Sequence, residues 1–135
     1  MPPTPVEIAD TILIYDAAAN TWSKGFWNLF RKDGAYKYAA INFSTASLSS
    51  IIPGVAGKKI YLSTIILVVG GQTNITFYDG LTAVTGPMDF GGSIEPRGIV
   101  VPLGSFPLEL GNGNSFIINS SEAVQVSGTA IYTQE

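Results

Sequence analysis

The chain is 135 residues long and mildly acidic, with 7 basic and 10 acidic side chains, a net charge of −3, and neither cysteine nor histidine. That composition excludes disulfides, thiolate nucleophiles, Ser-His-Asp catalysis and most zinc, copper and non-haem iron sites. Its length predicts one domain, large enough to bury about two thirds of its surface without covalent staples.

Charged residues make up 13% of the chain, about half of the roughly 25% of an ordinary soluble domain. Something other than charge must therefore cover the surface, either small polar side chains or other subunits. The mean hydropathy of +0.30 favours the second. The few basic residues form no stripe that could follow a phosphate backbone, so no nucleic-acid partner is expected. The N-terminus lacks the basic and apolar regions of a signal peptide. The longest apolar run, Ile60 to Val69, is interrupted by Ser63 and Thr64 and is far shorter than the roughly 20 residues that span a bilayer. A soluble protein with no membrane partner is predicted.

Pro2, Pro3 and Pro5 keep the first residues extended and remove backbone donors, which reads as an N-terminal arm. Thr11 to Tyr15 is β-prone, and Asp16 to Asn20 is a small-residue break. Two aromatic-rich runs, Thr21 to Arg31 and Ala35 to Phe43, flank Asp33-Gly34 and predict a hairpin. The rival is a helix over 21–31, since Trp22, Phe26 and Phe30 are spaced by four, but Gly25 and the aromatic content favour strands.

Beyond a Ser-rich connector, Pro53-Gly54 marks a turn and Lys59 to Val69 a long strand. Gly70-Gly71-Gln72 turns, and Thr73 to Tyr78 returns with Ile75 and Phe77 on one face. Leu81 to Val84, Gly98 to Val101 and Ser115 to Asn119 are short strands. The last, Ala123 to Thr133, places Val124, Val126, Ala130 and Tyr132 on one face. Short strands separated by turns every ten residues or so predict an all-β protein, an antiparallel β-sandwich or jelly roll. Residues 1–45 read as the arm and aromatic hairpin, an anchoring part of the same domain, and residues 46–135 as the sandwich module.

The strand from Ile60 to Val69 departs from alternation. Ile60, Leu62, Ile66 and Val68 fall on one face, and Tyr61, Ile65, Leu67 and Val69 on the other. Both faces ask for burial, which in a two-layer sandwich requires a second covering layer. The expectation is that Tyr61, Ile65, Leu67 and Val69 form an oligomer interface; the alternative is a covering loop of the same subunit. Charge also divides unevenly, with all cations but Arg97 lying before Ile60.

Chemical motifs are weak. Gly54 to Lys59 resembles a phosphate loop, but Ile52 stands where its first glycine belongs and Lys59 where Ser or Thr belongs. Asp79 and Glu95 adjoin Gly or Pro, and Asp89 lies two residues from Pro87 and from Gly91, where turn hydrogen bonding explains them better than catalysis or calcium binding. Trp22, Phe26, Trp27 and Phe30 form the densest aromatic cluster, suited to hairpin packing, protein docking or glycan stacking. No catalytic residue, cofactor or metal is expected.

Several segments carry a family resemblance: Val55 to Leu62, Asn74-Ile75-Thr76-Phe77-Tyr78-Asp79-Gly80, Leu81 to Pro87, Phe116 to Asn119 and Gln125 to Tyr132. Together, over about residues 50–134, they resemble small tailed-bacteriophage virion proteins. Those are β-sandwich or jelly-roll modules that act as capsid decoration (cement) proteins or as parts of tails and fibres. The resemblance implies a homo-oligomer, most often a trimer, made in the host cytoplasm and placed on the virion against the major capsid protein or another virion protein. It also implies an alternative, a tail, neck or fibre component that binds a host receptor glycan through the aromatic patch or the loops at one end of the sandwich.

Overall fold

The computed structural model describes residues 13–16, 21–24, 35–92, 95–104 and 106–135. The chain divides into two compact units, Met1–Gly34 and Ala35–Glu135. In the first, β1 (Leu13–Asp16) and β2 (Thr21–Lys24) pair antiparallel, with Tyr15 opposite Trp22.

The second unit is all-β: among the described residues there is no helix. Its strands are β3 (Lys37–Phe43), β4 (Leu48–Ile52), β5 (Ile60–Val69), β6 (Asn74–Asp79), β7 (Thr82–Ala83), β8 (Met88–Asp89), β9 (Arg97–Pro102), β10 (Leu108–Glu109), β11 (Phe116–Ser120) and β12 (Val126–Gln134). They form two antiparallel sheets packed as a sandwich. One has the order β10-β5-β12-β3, with β9 also on β5; the other has the order β4-β11-β6-β7, with β8 also on β6.

The expected hairpin between Thr21–Arg31 and Ala35–Phe43 is not the pairing of the described strands. β2 pairs with β1, and β3 pairs along its length with β12. Asp33-Gly34 lies outside the described residues. Seven residues of β3 gain a full ladder against the C-terminal strand, a long-range pairing that local turn signals do not reveal.

Alternation builds the core. On the first sheet Ile41, Val126 and Ala130 face inward, and on the second Ile52, Ile75, Phe77, Phe116 and Ile118 do so. Phe77 and Phe116 meet edge to face with ring centroids 5.5 Å apart, the arrangement that the ring quadrupoles prefer.

β5 is the exception, and a β-bulge explains it. Tyr132 pairs with Leu62 and Ile131 with Thr64, so Ser63 has no counterpart on β12. One extra residue shifts the phase of a two-residue repeat. Ile60 and Leu62 point inward before it, and Ile65, Leu67 and Val69 point inward after it. The Ser63 hydroxyl donates to the Ile131 carbonyl at 3.1 Å. On the other side the Ser63 carbonyl accepts from the Leu103 and Gly104 amides at 2.8 and 3.2 Å. The hydroxyl and carbonyl of the bulged residue are thus engaged by the two neighbouring segments.

One end of the sandwich is closed by interlocked loops. Ser115 accepts from the Gly54 amide through its hydroxyl and from the Gly80 amide through its carbonyl, each at 2.9 Å. The Asp79 carboxylate accepts from the Gly111 amide at 3.0 Å and the Asn114 carboxamide at 2.9 Å. Asp79 therefore serves backbone hydrogen bonding, as expected of a turn aspartate. Gly54 packs so closely on Gly113 that a Cβ there would overlap the Gly113 carbonyl.

Candidate interaction surfaces

The bulge corrects the expected oligomer interface. Ile65, Leu67 and Val69 are 1%, 0% and 0% exposed and belong to the core of their own subunit, while Tyr61 is half-buried. The two apolar faces of the strand are largely one face, seen before and after the bulge.

Ile66 and Val68, assigned from alternation to the core side, instead lie on the outer face. The ladders place Val100, Ile66, Thr129 and Ala40 in one row across the sheet. Gly98, Val68, Ser127 and Asn42 form the next row, and Pro102, Thr64, Ile131 and Tyr38 the third. None of the three rows contains a charged residue. Within them Tyr38 is 72% exposed, Val100 62%, Val68 43% and Ile66 38%. This is an uncharged, partly apolar sheet face open to solvent.

The aromatic cluster is only partly described. Trp22 sits on β2, opposite Tyr15; Phe26, Trp27 and Phe30 lie outside the described residues. Gly54 to Lys59 connects two strands, β4 and β5, and no helix N-terminus follows it to receive a phosphate.

A second surface was not anticipated from sequence. At the end opposite the interlocked loops, the β5–β6 connection (70–73) and the β11–β12 connection (121–125) cross side by side between the sheets. They enclose an open concavity of about 730 Å³ lined by Gly70 to Asn74 and Ser121 to Val124. Their backbones are tied together. The Gly70 amide donates to the Gln125 carbonyl at 2.8 Å and the Ser121 amide to the Asn74 carbonyl at 3.0 Å. The Asn74 amide donates to the Ser121 hydroxyl at 2.9 Å, and the Glu122 amide to the Thr73 hydroxyl at 3.2 Å. Below them the buried hydroxyls of Thr73 and Ser120 lie 2.7 Å apart. Both segments read in sequence as small-residue turns; their adjacency spans 47 positions, and nothing in the local pattern signals it.

Among the described residues, no three acidic side chains converge on a point that could hold a metal ion. Charge contacts are sparse: Lys59 and Glu109 pair at 2.7 Å on the surface, and that contact raises the lysine's pKa above its ordinary value. Comparisons with protein families, with characterised proteins and with solved structures found no match for this chain.

Proposed function

We propose that the chain is a structural protein of a tailed-phage virion, a capsid decoration protein that stabilises the head lattice through contacts between its own copies and with the shell. The observation that carries this reading is the uncharged outer face of Ile66, Val68, Val100 and Tyr38. Two copies meeting there bring no like charges together, although each carries a net charge of −3. The strand order adds support. With β7 and β8 taken as one interrupted strand, and β9 and β10 as another, the strand order supports reading the eight strands as a jelly roll. That is the architecture implied by the resemblance of residues 50–134 to small virion proteins.

Magnitudes favour action on a lattice over a tight free oligomer. Full burial of a large apolar side chain is worth about 1.5–3 kcal/mol, so covering four half-exposed ones contributes on the order of 3–6 kcal/mol. Association costs about 4–15 kcal/mol. Copies in solution associate weakly, whereas copies held side by side by the shell gain the contact at high effective concentration. The trimer implied by the resemblance is then a state of the assembled particle.

The test is retention on purified heads of the encoding phage. The native chain is expected to co-purify with heads and raise their thermal stability. The double variant Ile66→Lys with Val100→Lys, folded as judged by circular dichroism, is expected to wash off. Absence of the chain from purified heads, or equal retention of the variant, overturns the proposal.

The loop concavity favours a second reading, a tail, neck or fibre component that engages a host glycan. That reading offers two sites, the aromatic patch with Trp22 and Trp27 or the loops at one end of the sandwich, and the concavity lies among such loops.

A further inference from the structure

We propose that the concavity between the β5–β6 and β11–β12 connections binds a neutral saccharide. The inference rests on the glycan-recognition reading and supplies its site, but it does not depend on whether the subunit sits on the head or the tail.

The site is rigid where it must be and free where a ligand would touch it. The backbone groups of Asn74, Ser121 and Glu122 are engaged across the two segments, and Thr73 and Ser120 contribute their hydroxyls to the same network. The side chains of Gln72, Asn74 and Glu122, in contrast, make no hydrogen bond or ion pair among the described residues. These three exposed side chains are free to turn toward a ligand, and because the backbone that carries them is already tied together, the ordering cost of binding falls on their rotamers alone.

Their chemistry selects the ligand. A carboxylate accepts two hydrogen bonds, and each carboxamide both donates and accepts. Adjacent hydroxyls of a sugar ring, each a donor and an acceptor, match that set. Gly70, Gly71 and Ala123 carry little or no side chain, which leaves room beside Val124 for the C–H face of a pyranose. A Cβ on Gly71 would come 3.1 Å from Val124 Cγ1, so the opening depends on the absence of a side chain there. The volume of about 730 Å³ falls within the range of about 300–1,000 Å³ typical of small-molecule sites.

Charge narrows the choice. Among the described residues Glu122 is the only ionisable side chain of the lining; at its edge Asp89 pairs with Asn74 across β6 and β8, and Arg97 with Val69 across β5 and β9. A carboxylate as the charge of the described lining disfavours phosphorylated, sulfated or sialylated sugars. Among the described residues no aromatic ring lines the walls, which disfavours nucleobases and other flat aromatic ligands.

The experiment is a printed array of neutral, sialylated and sulfated oligosaccharides, followed by titration calorimetry with the best neutral hit. The native chain is expected to bind neutral glycans in preference to anionic ones. Glu122→Ala and Asn74→Ala are each expected to weaken binding at least tenfold with an unchanged melting temperature, because the network uses only their backbone atoms. If either alanine variant proves unstable, Glu122→Gln, which keeps the shape, is expected to weaken binding as well. Ala123→Leu, which narrows the opening, is expected to abolish it. Four results overturn the proposal: no binding to any neutral glycan, neutral binding that survives all four substitutions, a preference for anionic glycans, or displacement by an oligoamine in a salt-dependent manner. Failure on heads with success on the array removes the decoration reading alone; the reverse removes this inference alone.

Discussion

Ser63 donates its hydroxyl hydrogen to the carbonyl of Ile131 across 3.1 Å, and that pair marks where β5 changes face. Without the extra residue, either Ile60 and Leu62 or Ile65, Leu67 and Val69 would be turned out of the core. At about 1.5–3 kcal/mol per large apolar side chain, that loss is comparable with the roughly 5–15 kcal/mol by which a whole domain is stable. Deletion of Ser63 is therefore expected to leave the chain unfolded. Ser63→Ala keeps the count and loses one hydrogen bond, about 1 kcal/mol. Urea denaturation separates the two; a deletion variant with a near-native midpoint would contradict the assignment of the bulge.

Gly128 faces Leu67 and Ile41 across two ladders, with φ at 149°. A Cβ there would overlap the Ile66 carbonyl, which belongs to backbone and cannot swing away. Gly128→Ala is expected to destabilise by about 3 kcal/mol or more, since the central strands must separate. Gly86→Ala, where nothing lies within 4 Å, is the control and is expected to change stability by less than about 1 kcal/mol in either direction. Thermal melts of both variants check the contrast.

Asp79 holds the Gly111–Asn114 loop through its carboxylate. Hydrogen bonds to a charged acceptor are worth about 1.5–3 kcal/mol, so Asp79→Ala is expected to cost about 2 kcal/mol. Asp79→Asn, which keeps one carbonyl acceptor, is expected to cost less. Amide hydrogen exchange at Gly111 should accelerate in Asp79→Ala, and unchanged protection there would show that the loop is held by its other contacts.

The Lys59–Glu109 pair gives a pH signature. The hydrogen bond from Lys59 to Glu109, and then their charge attraction, raise the lysine pKa above its ordinary 10.5. A lysine whose folded pKa is raised contributes its stabilisation in full below its unfolded value and loses it as pH climbs through the folded one. The difference in melting temperature between the native chain and Glu109→Gln should therefore be constant from neutral pH to about pH 10, then shrink above pH 10.5. It should also shrink with added salt, because both side chains are exposed. A difference that grows above pH 10.5 would rule the pair out as its source.

Much of the architecture was legible in the residues. Ile75 and Phe77 alternate with polar neighbours on β6, and Val126 and Ala130 do so on β12; both strands lie where the period of two places them. The turn at Asp79-Gly80 and the break at Gly70-Gly71-Gln72 also stand where the sequence puts them. The role of Ile65, Leu67 and Val69 was not legible. A ten-residue apolar run looks two-faced until a bulge is placed in it, and the interruption at Ser63-Thr64 was the available signal. The concavity was less legible still, because Thr73 and Ser120 become neighbours only through two connections far apart in the chain.

By itself the sequence determined that the protein is all-β, without cysteine or histidine chemistry, and poor in charge between Ile60 and Ile94. Those properties follow from composition and a two-residue period, which are local. The tertiary structure decided that β3 pairs with β12, that Ser63 is the odd residue of β5, and that Ile66, Val68, Val100 and Tyr38 share one open face. Each is a matter of register between strands distant in sequence. A shift of one residue exchanges inside for outside, and only the ladder partners show which way it falls.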